Sequence, residues 1–187
     1  MRKLVLSMGV SLDGLVARPG PHGAGDWGLP PEDPALTKRK LGWMDDIGLH
    51  LMGRNTYEER AGFWPVSDHA YAAPMNDIPK VVFSQTLERA EWEESWIARG
   101  NLAEEIGRLK REPGKDMLPW GGAAFAQSLS RLGLVDEYRL ILQPVVLGQG
   151  LPLFKGLKAP LRLELVDART YPTGAALHVY RPAAAAS

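Results

Sequence analysis

The chain has 187 residues, a length that predicts one domain, which we place over residues 1–181 with a frayed Ala-rich tail over 182–187. Its 22 basic and 22 acidic side chains balance, so it lacks the basic footprint that nucleic acid or an anionic membrane requires. It has no cysteine, which excludes disulfides and thiol nucleophiles. We find no signal-peptide pattern and no membrane-spanning apolar run, which indicates a soluble, cytoplasmic protein.

The first two-thirds of the chain alternate short apolar runs with amphipathic segments, a pattern typical of the strands and helices of an α/β fold. Helix starts are indicated by Asp33-Pro34 and by Asn101, because these side chains cap a first turn. Residues 65–78 are rich in turn-forming residues. The predicted strands of this part cover residues 3–10, 48–52, 80–83, 96–98 and 116–120.

The last third of the chain changes character. Residues 135–143 and 161–165 alternate apolar with charged side chains, and residues 177–180 follow a turn at Pro172–Gly174. Such alternation is typical of antiparallel strands with one face in water. The sequence therefore predicts an α/β fold with a mixed, mostly parallel central sheet, antiparallel C-terminal strands and about four flanking helices.

Two glycine-containing junctions between a strand and a helix are candidates for phosphate binding. Glycine lets the backbone approach a ligand closely, and a helix N-terminus offers free N–H groups to an anion. At the first junction, Gly53 is followed by Arg54, a bidentate phosphate donor, and by the hydroxyl of Thr56. The structural alternative at this junction is a tight strand-to-helix turn with a surface arginine, and at the second junction it is close packing of helix and sheet through small residues. The second junction consists of Gly121, Gly122, Ala123, Ala124 and Phe125.

Two further strand ends carry polar side chains. Ser84 and Thr86 could bind a phosphate or a ribose, or could form an ordinary turn. Asp13 follows the first strand, at the end where α/β folds bind ligands, so it is a candidate proton donor or substrate anchor. The alternative for Asp13 is an Asx-type turn with Gly14.

Loop residues of suitable chemistry could line a substrate pocket. Asp26 and Trp27 lie in the long loop, and Trp64 follows the second predicted helix. Aromatic rings in a pocket stack on flat heterocycles, although tryptophans also belong to apolar cores. The four histidines share no metal-ligand spacing, so we expect no metal site.

Taken in order, these motifs resemble the dihydrofolate reductase-like superfamily. Within it, the sequence is most similar to the branch that includes the reductase domain of bacterial riboflavin biosynthesis proteins and its stand-alone relatives. The resemblance covers residues 2–181. It rests on Ser11-Leu12-Asp13-Gly14, Asp26-Trp27, Met52-Gly53-Arg54-Asn55-Thr56-Tyr57-Glu58, Phe83-Ser84-Gln85-Thr86-Leu87, Gly121-Gly122, Gly133-Leu134-Val135-Asp136-Glu137 and Pro144-Val145-Val146-Leu147-Gly148.

The resemblance implies an NADPH-dependent oxidoreductase, similar to 5-amino-6-(5-phosphoribosylamino)uracil reductase, that transfers a hydride to a small heterocyclic or ribosyl-bearing substrate. It also implies a homodimer. It assigns the cofactor phosphates to Gly53, Arg54, Thr56, Ser84, Thr86, Gly121 and Gly122 and to the helix start at Ala123, Ala124 and Phe125. Asp13 becomes the candidate catalytic residue, and Asp26, Trp27 and Trp64 become the candidate substrate residues.

The sequence also departs from the family pattern. Pro119-Trp120 stands before Gly121-Gly122, where the family has apolar residues, and Trp120 could pack beside the nicotinamide or narrow the site. The deaminase half of the bifunctional riboflavin enzymes is absent from this sequence. Because the sequence shows no unambiguous general acid and carries Trp120 before the glycines, one alternative is a non-catalytic module of the same fold that binds a nucleotide or another ligand. Another is a subunit whose main role is assembly.

Overall fold

The computed structural model describes residues 1–19, 27–29 and 31–184 of the chain. Their Cα positions fall into two compact units. Unit 1 comprises Met1–Leu4 and Lys38–Gly121, and unit 2 comprises the described residues of 5–37 and 122–184. The single domain over residues 1–181 stays a prediction.

Strands and helices are interspersed along the first two-thirds of the chain, as the sequence predicts. Within the described ranges, the helices are α1 (Pro34–Met44), α2 (Arg54–Ala61), α3 (Ala72–Asp77), α4 (Leu102–Arg111) and α5 (Ala123–Arg131). The strands are β1 (Val5–Ser11), β2 (Leu15–Ala17), β3 (Ile47–Gly53), β4 (Lys80–Phe83), β5 (Ser95–Ala98), β6 (Asp116–Trp120), β7 (Glu137–Gln143), β8 (Leu151–Pro152), β9 (Leu163–Thr170) and β10 (Ala176–Pro182). None of the described helices is both long and apolar enough to cross a membrane.

Unit 1 is built on a sheet of four strands in the order β5-β4-β3-β6, and each strand runs parallel to its neighbours. Parallel sheets are usually covered on both faces, which explains why these strands are apolar with little alternation. The structure confirms the predicted strands over residues 80–83 and 116–120. Because the strands are parallel, their carboxyl ends meet at one edge of the sheet.

One face of this sheet carries the apolar core of unit 1. Met52, Val82 and Leu118 reach the core from the strands, and Tyr57 reaches it from α2. Each fully buried side chain of this size contributes about 1.5–3 kcal/mol to stability. The complete cluster is Met44, Ile47, Met52, Tyr57, Trp64, Tyr71, Met75, Val82, Trp92 and Leu118.

Helix α3 lies in the segment that the sequence predicts as turns, so this prediction is wrong for residues 72–77. A helix of six residues is not stable by itself, because its nucleus is costly to form. The sheet supplies partners for two of its last carbonyl oxygens. His50 Nε2 lies 3.1 Å from Pro74 O, and Lys80 Nζ lies 2.5 Å from Asn76 O. The helix depends on these tertiary contacts, which no local pattern reveals.

Unit 2 contains a mixed sheet of four strands in the order β1-β7-β10-β9. Strands β1 and β7 are parallel, whereas β10 runs antiparallel to both β7 and β9. The predicted antiparallel character of the C-terminal strands is thereby confirmed for β9 and β10, whereas β7 is antiparallel only to β10. Two short strands that the sequence did not predict, β2 and β8, pair antiparallel with each other.

The expected wet face of strand β7 is wrong for Glu137, which is buried. Its carboxylate accepts hydrogen bonds from Arg139 Nε at 2.9 Å and from Arg181 Nη2 at 3.1 Å. Although burial opposes the charge, these ion pairs lower the pKa of Glu137. Strand β7 is internal to its sheet, and a charge in such a place requires partners.

Regular structure extends into the predicted tail. Strand β10 includes Pro182, and the backbone N–H of Ala183 donates to Arg162 O at 2.9 Å. Residues 185–187 lie outside the described residues.

Lys80, the first residue of β4, is fully buried. Its ammonium group donates to Asn76 O at 2.5 Å and to Glu93 O at 3.0 Å, and it lies 4.6 Å from the ring centroid of Trp92. Burial lowers the pKa of Lys80 to about 8, against the opposing charges of Glu94, Asp77 and Glu93. Burial thus disfavours the charged form, and the hydrogen bonds and the aromatic face offset part of that cost.

We expect Lys80→Met to lower the free energy of unfolding by about 1–3 kcal/mol, because it leaves buried carbonyl oxygens without donors. The lowered pKa predicts that this difference grows between pH 8 and pH 10. The unfolded chain binds more protons than the folded chain in that range, so the stability of the wild type rises with pH. Thermal unfolding at several pH values measures both effects.

The matched control is Lys155→Met, because Lys155 is exposed. This variant should follow the wild type at every pH. Identical pH profiles for Lys80→Met and Lys155→Met would contradict the role given to the buried ammonium group.

Candidate functional site

The carboxyl edge of the unit 1 sheet carries several of the residues that the sequence singles out. Strand β3 ends at Gly53, strand β4 is followed by Ser84, and strand β6 is followed by Gly121. In open α/β sheets, ligands bind in the crevice outside the carboxyl ends of the strands. The parallel topology therefore brings separate motifs of the sequence to one edge.

The first turn of α2 has features that suit an anion. Its N-cap residue, Gly53, makes no side-chain capping bond, and the first turn contains no acidic residue. The backbone N–H groups and the partial positive charge of the helix N-terminus are therefore not compensated by side chains of the cap. A Cβ atom built at Gly53 would meet no atom within 4 Å, so the space beside the turn is open.

Arg54 joins the two predicted phosphate motifs of unit 1. Its Nη1 donates to Thr86 Oγ1 at 2.7 Å, and its Nε donates to Glu58 Oε1 at 2.8 Å. A guanidinium group has five N–H donors, so these two bonds orient Arg54 without using all of its donors. The pair with Glu58 lies on the surface and contributes little to stability. The guanidinium is exposed and held in one direction, as anion recognition requires.

The turn after β4 is fixed by Ser84 within the turn and by Arg99, which follows β5. Ser84 Oγ accepts hydrogen bonds from the backbone N–H groups of Thr86 at 3.2 Å and Leu87 at 2.9 Å. Arg99 donates from Nη1 to Gln85 O at 3.2 Å and from Nη2 to Leu87 O at 2.6 Å. Sequence reasoning missed Arg99, because nothing local shows that β5 ends beside this turn.

The second glycine junction follows strand β6. Gly121 has φ of 153°, a conformation that other residues rarely adopt. Gly122 is the N-cap of α5 and offers no side-chain cap, and the first turn contains no acidic residue. Within this turn Ala123 is buried, Ala124 is exposed and Phe125 is half-buried.

Helix α4 provides a contrast within unit 1. It also follows a parallel strand, but Asn101 caps it by accepting from the N–H groups of Ala103 at 2.9 Å and Glu104 at 3.4 Å. Its first turn also carries Glu104 and Glu105. The N-terminus of α4 is thus compensated by its own side chains, whereas that of α2 is not.

Trp64 does not line a pocket mouth as predicted. It is buried, with 5% of its surface exposed, and belongs to the apolar core of unit 1. Its ring lies 4.9 Å from that of Phe63 and 6.0 Å from that of His69, measured between centroids. Neighbouring aromatic side chains enclose Trp64, which explains why it lies in the core and not at the predicted pocket mouth. Trp27 is half-buried, and Asp26 lies outside the described residues.

Asp13 connects two loops of unit 2. Its Oδ1 accepts from Ser11 Oγ at 2.7 Å and from the N–H of Leu147 at 3.1 Å, and its Oδ2 accepts from the N–H of Gly148 at 2.8 Å. The hydroxyl of Ser11 and these backbone groups lower the pKa of Asp13 to about 2. This carboxyl is therefore ionised near neutral pH, which disfavours proton donation. Substrate anchoring by Asp13 stays a prediction.

The chain is similar to proteins of a known family. The model of the RibD C-terminal domain matches residues 2–177, so the chain belongs to the RibD C-terminal domain family. Among curated proteins it is similar to YyaP, an uncharacterized protein of Bacillus subtilis (strain 168). The two are 33% identical over 184 residues, which cover 96% of this chain and 94% of YyaP.

Solved structures show the same dihydrofolate reductase-like fold. A protein of Shewanella sp. PV-4 named for riboflavin biosynthesis superimposes with a TM-score of 0.75 at 23% identity, covering 97% of this chain and 99% of that one. The deaminase/5-amino-6-(5-phosphoribosylamino)uracil reductase of Thermotoga maritima superimposes with a TM-score of 0.70 at 16% identity. The match covers 97% of this chain and 57% of that one. Dihydrofolate reductase of Enterococcus faecalis, complexed with NADP(H), superimposes with a TM-score of 0.61 at 15% identity, covering 96% of each chain.

The contacts of Asp13 lead to a prediction for Asp13→Asn. The change removes a negative charge and replaces one acceptor oxygen with a donor, so the bonds to Leu147 and Gly148 weaken. We expect faster hydrogen exchange at these two amides and unchanged exchange in β3 and β4. Equal exchange at Leu147 and Gly148 in both proteins would show that the carboxylate does not hold this loop.

Proposed function

We propose that this chain is an NADPH-dependent reductase that acts on a small heterocyclic or ribosyl-bearing substrate. The observation that carries the proposal is the arrangement of Arg54. Its guanidinium is held by Thr86 at the uncapped N-terminus of α2, on the edge of the sheet where parallel strands end. A helix N-terminus combined with an oriented arginine suits a phosphate group.

The residues present fit the cofactor. Gly53, Arg54 and Thr56 would hold one phosphate, with Ser84 and Thr86 beside them at the adjacent strand end. NADPH differs from NADH by a negatively charged 2′-phosphate, and Arg54 supplies a positive charge that can pair with it. Gly121, Gly122 and the start of α5 at Ala123, Ala124 and Phe125 would receive the pyrophosphate. NADPH supplies the hydride when bound, and the chain supplies binding and orientation.

The comparisons support the reductase class. The family is that of the RibD C-terminal domain, and structural neighbours include a uracil reductase and a dihydrofolate reductase complexed with NADP(H). These neighbours are less than 25% identical to the chain, so the cofactor and the ribosyl-bearing substrate are our proposal. Within the proposal, Asp26 and Trp27 remain the candidate substrate residues.

A second candidate function is a nucleotide-binding module without catalysis. The ionised state of Asp13 favours it, because the residue expected to deliver a proton has a pKa of about 2. The two functions are separated by turnover. NADPH oxidation that depends on a second compound, such as a pyrimidine with a ribosyl group, would exclude the module.

The homodimer is a separate proposal. Strand β9 is the edge of its sheet, and it exposes Leu165 and Val166. An exposed edge strand with apolar side chains can pair with a second copy. Light scattering with size-exclusion chromatography would give the mass, and a monomer at micromolar concentration would contradict this proposal.

We predict that Arg54→Ala weakens NADPH binding about 10- to 100-fold, because hydrogen bonds between charged groups contribute roughly 1.5–3 kcal/mol. Binding of NADH should weaken less. Isothermal titration calorimetry with both nucleotides measures the two effects.

The matched control is Arg108→Ala. Arg108 is also half exposed and also binds acidic side chains, Glu105 and Glu112, but it lies on α4 away from the strand ends. This variant should bind NADPH as the wild type does. Equal NADPH affinity of Arg54→Ala and the wild type would refute the site.

A further inference from the structure

Trp120 occupies a particular place in unit 1. It is the last residue of β6, directly precedes Gly121, and is partly exposed at the carboxyl edge of the sheet. In the sheet register His50 of β3 lies opposite Leu118 of β6. Trp120 follows Leu118 by two residues, so it lies on the same face of the sheet as His50 and diagonal to it.

The two side chains form a directed hydrogen bond. Trp120 Nε1 donates to His50 Nδ1 at 2.8 Å, and the ring planes meet at 83° with centroids 5.6 Å apart. An indole nitrogen can only donate, so Nδ1 of His50 is the acceptor and Nε2 carries the proton. That Nε2–H points to Pro74 O at 3.1 Å. Both ring nitrogens of this fully buried imidazole are thereby satisfied.

Nδ1 of His50 stays unprotonated over the neutral pH range, so it can accept the hydrogen bond from Trp120. Burial lowers the pKa of His50 to about 4, the carbonyl of Pro74 on α3 opposes the effect, and the charge of Lys80 on β4 adds to it. The ring is therefore neutral when the protein is at physiological pH. A neutral, buried acceptor with a fixed tautomer holds the indole in one orientation.

The strand order indicates what this indole would meet. The candidate phosphate residues Arg54, Ser84 and Thr86 lie at the ends of β3 and β4, whereas β6 lies on the other side of β3. A dinucleotide held by its adenosine phosphate at β3 and β4 would cross β3 to reach Gly121 with its pyrophosphate. Trp120, the residue before Gly121, would then lie next to the nicotinamide half that follows the pyrophosphate. A fixed aromatic ring there suits a flat heterocycle.

We propose that His50 is a positioning residue that holds the Trp120 indole as a flat wall against the nicotinamide ring of bound NADPH. This inference rests on the proposed function. It explains why a histidine with no exposed surface lies in the sheet beside the one tryptophan that precedes Gly121-Gly122.

Three variants separate positioning from packing. His50→Asn keeps an acceptor near the place of Nδ1 and loses the bond to Pro74. His50→Gln keeps a donor near the place of Nε2 and loses the acceptor for Trp120. Trp120→Leu removes the flat ring itself, and because Trp120 is half exposed this variant tests the inference even if the His50 variants unfold.

The measurement is calorimetric titration with NADPH and with adenosine 2′,5′-bisphosphate, which lacks the nicotinamide. We expect His50→Gln and Trp120→Leu to weaken NADPH binding about 2- to 10-fold, the worth of one aromatic contact. Both variants should bind the bisphosphate as the wild type does. His50→Asn should bind NADPH nearly as the wild type does, and near-ultraviolet circular dichroism should show its tryptophan signal preserved.

Other outcomes overturn the inference. Equal losses for NADPH and the bisphosphate would mean that His50 has only a structural role. The same holds if His50→Asn binds as weakly as His50→Gln, or if Trp120→Leu binds NADPH normally. Failure of the proposed function is distinguishable, because the wild type would then bind neither ligand.

Discussion

The parallel direction of β3, β4, β5 and β6 is the constraint on which the candidate site depends. It gathers at one edge the turns that follow these strands, although they are far apart in the sequence. Arg54 and Thr86 are 32 residues apart and still form a hydrogen bond, because β3 and β4 end side by side. An antiparallel partner for β3 would have moved one of these turns to the opposite edge.

Buried polar side chains connect this sheet with the segment that covers it. His50 and Lys80 face each other in register, and each binds a carbonyl oxygen of the short helix α3. Asn76 of that helix in turn accepts from Trp92 Nε1 at 2.9 Å and donates to Trp64 O at 3.0 Å. A buried polar group without a partner is costly, so this hydrogen-bond network stabilises one arrangement of helix α3 on the sheet.

The sequence predicted what local patterns encode. The cap at Asn101 and the strand over residues 80–83 were correct, because capping and burial on both faces leave a short-range signature. The hydrogen bond between Arg54 and Thr86 joins two motifs, each of which the sequence separately predicted to bind a phosphate. Trp64 and the partners of His50 could not be predicted, since an aromatic residue in a core and one in a pocket look alike in sequence.

The central claim is that the carboxyl edge of the unit 1 sheet binds the phosphates of NADPH. Nuclear magnetic resonance of the 15N-labelled protein during titration with NADPH, and separately with NADH, tests it most directly. We predict saturable amide shifts that are largest at Arg54, Thr56 and Thr86, with much smaller shifts at Thr86 for NADH. Shifts that do not saturate, or that cluster away from these strand ends, would contradict the account.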